Sequence, residues 1–206
     1  FTPIALGLMI VLLILSFRSW TGTFLPLFVV GFSTLWTFGL MAWLDISVPI
    51  IGGLIPIMLI AIANNYGIHI ISHYYEYTKL DQNLDRVEIL KRTMKRLGMP
   101  IFLAGFTTVI SFLSLLTHEL TKVREIGALV SFGIAVSFFL SLLFIPAILI
   151  LVPRPTYLGK EKSLEAVNNF LVNWGKFFVK NNSTFLIFLF SGMFLFSFGI
   201  RDITID

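Results

Sequence analysis

Long apolar stretches occupy most of this chain, and each is close to the length that crosses a lipid bilayer. They cover roughly residues 1–17, 24–44, 48–75, 99–117, 125–151 and 183–200. A helix needs about 20 apolar residues to cross about 30 Å of hydrocarbon. Such a helix satisfies its own backbone hydrogen bonds in lipid, and these stretches lack the alternation of barrel strands. The sequence therefore predicts an all-α polytopic transmembrane bundle with six spans.

Composition supports a membrane protein. Apolar residues make up 57% of the chain and charged residues only 13%, too few to cover the surface of a water-soluble domain. The absence of cysteine excludes disulfides, thiolate metal sites and cysteine nucleophiles. Because the chain opens on Phe1 inside an apolar run, without Met or a signal peptide, we expect it to be part of a longer protein.

The basic residues predict the orientation of the bundle. If residues 1–17 run inward, twelve of the fifteen lysines and arginines lie on the inner side, and only Lys122, Arg124 and Arg201 lie outside. The positive-inside rule favours this orientation. The net charge of +4 is thus a topology signal, and no nucleic-acid partner is predicted.

Two segments between the spans have the pattern of amphipathic helices at the inner membrane surface. In residues 85–97, apolar side chains recur every three or four positions among basic ones. A second such helix is predicted within the 153–180 connection, after the prolines at 153 and 155 end the fifth span. Either helix is a plain juxtamembrane segment or contacts anionic lipids.

The third span carries a polar stripe. Asn65, His69, His73 and Glu76 recur at spacings of four, four and three, so they share one helical face, and Asn64 and Tyr66 flank it. Amides and imidazoles are costly in lipid, so this face is expected to meet the bundle interior or a wet cavity. Either the stripe is functional, or its amides only hold helices together.

Residues beside the stripe predict a kink and a close helix contact. Gly52, Gly53 and Pro56 lie two to three turns before the stripe, where proline interrupts the backbone hydrogen bonds and a gate is plausible. In the next span, a polar strip contains Thr107, Thr108 and Ser111. These hydroxyls bond either across to Asn65 or Tyr66, or back to their own helix.

None of the candidate catalytic motifs in the sequence is complete. His69 and His73 are spaced like half a zinc site, but residue 70 is not Glu and no third ligand is near in sequence. Ser72 lies between the two histidines without an orienting Asp. No Gly-rich phosphate loop is present. We therefore predict no enzyme activity, no metal and no cofactor.

The polar stripe also carries a family resemblance. The run from Ala61 to His69, followed by Tyr74-Tyr75-Glu76, resembles the central-helix signature of the resistance-nodulation-division (RND) superfamily, in its MMPL, hopanoid-transporter and Patched-like branch. The similarity continues through 96–101, 107–114, Ile126-Gly127 and 145–147. It covers most of residues 48–152, in order and at family-like spacing.

The resemblance implies a transporter of two similar halves, each with a porter domain outside the membrane. Residues 1–152 would then be helices two to six, which also correspond to a sterol-sensing domain. Residues 153–180 would be the cytoplasmic linker, 181–200 helix seven, and 201–206 the start of the second porter domain. The implied location is the bacterial inner membrane. The implied partners are membrane lipids, a lipidic or hydrophobic substrate and the second half of the polypeptide, with assembly into homo-oligomers a further expectation.

One position departs from the family pattern. Proton-driven members typically have Asp before the tyrosine, where this chain has Asn65. An amide cannot titrate. Three explanations remain open: a carboxylate in the other half, a proton on His69 or sodium at the Asn64 and Asn65 carbonyls, or no coupling at all. The predicted function is export of lipidic molecules driven by an ion gradient, and the alternative is a sterol-sensing-like regulatory module that binds lipid without transport.

Overall fold

The computed structural model describes residues 2–17, 19–46, 53–81 and 84–153, and ten single positions between 169 and 194. It divides into two compact units, Phe1–Leu158 and Gly159–Asp206. In the second unit the ten described positions are helical. The predicted linker helix, the sixth span and residues 201–206 otherwise lie outside the described residues.

The described residues of the first unit form five helices. They are α1 (Thr2–Phe17), α2 (Trp20–Trp43), α3 (Leu54–Leu80), α4 (Arg86–Leu113) and α5 (Thr121–Leu151), with a short 3₁₀ turn at Ser114–Thr117. Four of these helical segments are long and apolar enough to cross a membrane, and α1 is a shorter apolar helix. No strand occurs among the described residues. The predicted all-α membrane bundle is confirmed.

Local chemistry sets three of the helix ends. Ser19 caps α2, because its Oγ accepts a hydrogen bond from the Gly22 amide at 3.1 Å. Asp85 caps α4 through the Arg86 amide at 2.8 Å. Helix α5 ends at Leu151 because Val152, directly before Pro153, adopts the extended conformation that a following proline favours.

The predicted surface helix at 85–97 is not a separate element. Helix α4 runs without a break from Arg86 through Pro100 to Leu113. The apolar side of its first three turns packs into the bundle, where Ile89 and Leu90 are buried. Because this packing continues along the helix, the missing amide of Pro100 does not end it.

Helix α5 packs against α2, α3 and α4, and small residues let it approach closely. A Cβ atom placed on Gly133 would lie 2.5 Å from Thr37 Oγ1 of α2 and 2.7 Å from Leu59 Cδ2 of α3. A Cβ atom on Gly105 of α4 would lie 2.6 Å from the Phe138 ring. Close approach through glycine is typical of helix packing in membranes.

Two polar contacts join the ends of helices to their neighbours. The Ser19 and Tyr75 hydroxyls are 2.8 Å apart and buried, which joins the start of α2 to α3. The Arg86 guanidinium donates to the Val152 carbonyl at 3.0 Å, which joins the start of α4 to the end of α5. A cation at a helix C-terminus stabilises the carbonyls left without helical partners.

Candidate functional site

The polar stripe lies on the outer surface of α3. Asn65, His69 and Glu76 are exposed, and so is Ser72 between them. The sequence predicted that the stripe faces either the bundle interior or a wet cavity. For these five helices the interior is wrong, because the opposite face of α3 fills the core. That opposite face is apolar, with Ile55, Leu59, Ile70 and Ile71 among its buried residues. A wet cavity on the outer side stays a prediction.

Tyr66 has the opposite environment from its neighbour Asn65. Its side chain is buried, with its ring edge-on to the Phe138 ring at 6.3 Å between centroids. The Thr108 side chain of α4 is the polar neighbour of its hydroxyl. The Thr108 hydroxyl donates to the Ala104 carbonyl of its own helix at 2.7 Å.

The two asparagines of the stripe differ in their hydrogen bonds. Asn65 Nδ2 donates to the Ala61 carbonyl of its own helix at 3.2 Å. Asn64 Oδ1 is buried and has no hydrogen-bond partner among the described residues. Asn64 lies eleven residues before Tyr75, so both share the side of α3 that meets Ser19. Because Asn64 and Asn65 are adjacent on the helix, their side-chain amides point about 100° apart.

The hydroxyl strip of α4 bonds mainly to its own backbone. Thr107 donates to the Leu103 carbonyl at 2.9 Å and Ser111 to the Thr107 carbonyl at 2.8 Å. Thr108 also donates to its own helix, at the Ala104 carbonyl, and it is the hydroxyl residue that lies beside Tyr66 of α3. Of the two predicted bonding patterns, back-bonding is the one adopted by Thr107 and Ser111.

Helices α3 and α4 present their polar residues on the same side. Tyr66 and Thr108 mark the contact between the helices. One residue earlier on each helix, Asn65 and Thr107 are rotated by about 100°. Because helices joined by a short turn run antiparallel, both rotations lead to the same side of the pair. We call this surface the α3–α4 polar face, formed by Asn65, His69, Ser72, Glu76, Thr107 and Ser111.

A cluster of ionisable side chains marks the end of the face nearest the α3–α4 connection. His73 Nδ1 lies 2.9 Å from Glu76 Oε2 one turn further along α3, so the two pair when the imidazole is protonated. The His73 ring is also 6.4 Å from the Tyr77 ring. The Tyr77 hydroxyl accepts a hydrogen bond from Arg96 of α4 at 3.1 Å.

Among the described residues, Pro56 does not interrupt α3, and the predicted gate stays a prediction. Pro56 is the third residue of α3, where a backbone amide has no helical partner anyway, so the proline interrupts nothing. Gly53 is the N-cap, and a Cβ atom there would have no neighbour within 4 Å, so it permits no close approach. Gly52 lies outside the described residues.

Neither a metal site nor an intramembrane acid is formed by the described residues. They contain no group of three or more His, Cys, Asp or Glu side chains able to hold a metal ion. The middle turns of α1 to α5 contain no Asp or Glu. The Ser19–Tyr75 pair and the Arg86 cap had no periodic signal in the sequence, because each joins residues more than fifty positions apart.

Comparison with known proteins gives a consistent family. Residues 1–183 match the model of the MMPL family. A putative membrane protein of Methanocaldococcus jannaschii is 26% identical over 153 residues, covering 74% of this chain and 39% of that protein. A probable transport protein, MmpL8 of Mycobacterium bovis, is 24% identical over 165 residues, which cover 76% of this chain and 15% of that protein.

A third relative carries a substrate in its name. The protein named Sulfolipid-1 exporter MmpL8, from Mycobacterium tuberculosis, is 25% identical over 107 residues, or 52% of this chain and 10% of that protein. The matched part of this chain thus spans between a tenth and two fifths of the length of these relatives.

Proposed function

Because this chain belongs to the MMPL family, we propose that it is the membrane part of an RND-type exporter of lipidic or hydrophobic molecules. The relative named as a sulfolipid exporter supports a lipidic substrate. The protein acts as a transporter rather than an enzyme, in the bacterial inner membrane. An ion gradient drives the movement.

The α3–α4 polar face is the observation that carries this proposal. It places exposed amide, imidazole and hydroxyl groups on helices long enough to span a bilayer. Such groups are too costly to leave against lipid tails. We therefore propose that the second half of the same polypeptide covers this face, which the much greater length of the relatives supports.

Coupling then depends on what Asn65 and His69 meet across that contact. A carboxylate of the second half would accept a hydrogen bond from the Asn65 amide and carry the proton itself. His69, exposed one turn further, provides a second proton route, because an imidazole nitrogen can accept and release a proton. Sodium held jointly by Asn64 and Asn65 fits the geometry less well, since the two amides point about 100° apart.

Transport in reconstituted vesicles tests the proposal. The full-length protein is reconstituted, a labelled lipid is loaded on one side, and a proton or a sodium gradient is imposed separately. We expect transport to depend on one gradient and to stop when the matching ionophore dissipates it. Equal transport without either gradient would overturn ion coupling. Lipid binding without any transport would instead support the sterol-sensing-like regulatory module, which the lack of a carboxylate in the middle turns of the described helices also favours.

A further inference from the structure

Two lysines on the first turns of α4 have no partner inside the described chain. Lys91 and Lys95 are both exposed, and neither makes an ion pair or a hydrogen bond with any described residue. They are four residues apart, so their side chains lie on one side of the helix, with about 5–6 Å between their Cβ atoms.

The neighbouring arginines are already engaged. Arg92 lies 3.0 Å from Asp81 and 3.9 Å from Glu88, so two carboxylates neutralise it. Arg96 donates to the Tyr77 hydroxyl. Arg96 keeps its charge but is oriented towards Tyr77, so Lys91 and Lys95 are the basic side chains of this part of α4 that have no partner among the described residues.

The same side of α4 continues as exposed apolar surface. Met99, Phe102 and Phe106 follow Lys95 at spacings of four, three and four, so all five residues form one stripe. These apolar side chains are 63%, 42% and 51% exposed. The Phe102 and Phe106 rings stack almost parallel, with 6.0 Å between centroids and an interplanar angle of 7°.

The stripe changes from charged to apolar side chains at the depth where a bilayer changes from headgroups to hydrocarbon. Helix α4 ends at Leu113, and about 20 residues before that end account for about 30 Å of hydrocarbon. Lys95 then lies at the boundary, Lys91 lies one turn into the headgroup region, and the three apolar residues lie within the hydrocarbon. The unbroken passage of α4 through Pro100 is what keeps the two parts on one face.

We propose that this stripe binds one anionic phospholipid from the leaflet next to the α3–α4 connection. The lipid phosphate lies between the Lys91 and Lys95 amines, and one acyl chain lies along Met99, Phe102 and Phe106. Charge complementarity selects the headgroup, since lysines near a membrane surface attract anionic lipids. The exposed aromatic and thioether groups supply the dispersion contacts for the chain.

This site is separate from the α3–α4 polar face. Phe106 and Thr107 are adjacent in sequence and therefore point about 100° apart. Thr107 lies on the polar face, whereas Phe106 turns away from it. The bound lipid is thus a resident of the membrane rather than the transported molecule, and the inference does not depend on the proposed function.

The test measures binding of phosphatidylglycerol to the full-length protein in nanodiscs or by native mass spectrometry. We expect phosphatidylglycerol to bind more tightly than phosphatidylcholine, with the difference decreasing at high salt. The double variant Lys91→Gln/Lys95→Gln should bind phosphatidylglycerol about twenty-five-fold more weakly, at about fivefold for each lysine. The matched control is Lys122→Gln, because Lys122 is already paired with Glu125 at 2.9 Å near the other end of the helices.

A variant at the acyl-chain contact distinguishes a lipid site from a simple phosphate site. Phe102→Ser should weaken phosphatidylglycerol binding and leave any binding of glycerol phosphate unchanged, because only the acyl contact is lost. Equal binding of glycerol phosphate and phosphatidylglycerol would overturn the lipid site in favour of a simple phosphate site. Unchanged phosphatidylglycerol binding by a folded double variant would also overturn it, as would a lack of preference over phosphatidylcholine, which is expected if protein covers the lysines.

Discussion

Adjacent residues on α3 have different surroundings, and this decides what each can do. Asn65 is exposed, and its one hydrogen bond within the described part of the chain goes to the Ala61 carbonyl of its own helix. Tyr66, one position on, is buried between Phe138 and Thr108. A residue step rotates a helix by about 100°, which here separates the outer surface from the core. Asn65 can therefore meet another part of the protein, while Tyr66 holds α3 to α4.

Asn65→Leu should reduce transport without destabilising the protein. The side chain is exposed, and its hydrogen bond is local, so we expect the free energy of unfolding to change by less than about 0.5 kcal/mol. Transport in vesicles and thermal unfolding in detergent are measured on the same preparation. Full activity in Asn65→Leu would show that the polar face is only a packing surface.

Tyr66→Phe should cost at most about 1 kcal/mol of stability, because a hydroxyl beside Thr108 is removed from a buried side chain, and should also impair transport. The matched control is Tyr75→Phe, which removes the same hydroxyl from a buried hydrogen bond to Ser19, away from the polar face. We expect the control to lose similar stability and keep its transport. If both variants lose transport equally, the effect belongs to bundle stability and not to the position of Tyr66.

At the scale of helices, α5 organises the bundle because its small residues admit three neighbours. Gly133 meets α2 and α3 at one point, and Gly105 of α4 meets Phe138 of α5. Hydroxyl groups at these contacts bond to their own helices, as Thr37 does to the Ser33 carbonyl at 2.7 Å. The helices are therefore held mainly by close packing rather than by hydrogen bonds between them.

Gly133→Ala should destabilise the bundle by about 1–3 kcal/mol, because the added methyl group would overlap buried atoms of Thr37 and Leu59. Gly39→Ala is the matched control, since a Cβ atom there meets nothing within 4 Å and alanine favours the helix. Thermal unfolding in one detergent compares the two. Equal melting temperatures would mean that the helices separate enough to accept the methyl group.

For the whole molecule, the α3–α4 polar face is the important surface, because the five helices leave it exposed. The α3–α4 polar face groups the exposed polar residues of α3 with those of α4, while much of the outer surface of α1 and α2 is apolar. The first surface requires a protein or aqueous neighbour, and the second is suited to lipid. This asymmetry is the reason to expect a second half against α3 and α4.

Spin labels can detect which surface meets lipid. The chain has no cysteine, so single cysteines can be introduced to carry a label. One replaces Ser111 on the polar face, and the other replaces Leu35, an exposed apolar residue of α2. In the full-length protein, with any other cysteines replaced, we expect low collision with lipid-dissolved oxygen at position 111 and high collision at position 35. High oxygen accessibility at both positions would contradict coverage of the polar face.

The sequence by itself determined the solvent of this protein and its class of fold, and it identified the polar stripe as a candidate site. Helix length and apolar composition are local properties, so the spans near α1 to α5 and the spacing of the polar stripe could be predicted from the order of residues alone. The family resemblance likewise rests on local motifs, and the MMPL match confirms it.

Only the tertiary structure decided which way those residues face and what they contact. Periodicity places Asn65, His69 and Glu76 on one side of a helix but does not state whether that side meets the core. The packing of α5 against the opposite side turned the stripe outward. Packing likewise merged the predicted surface helix into α4, and the start of α3 at Leu54 removed the reason for a kink at Pro56. These outcomes depend on contacts between residues distant in sequence, which no local pattern encodes.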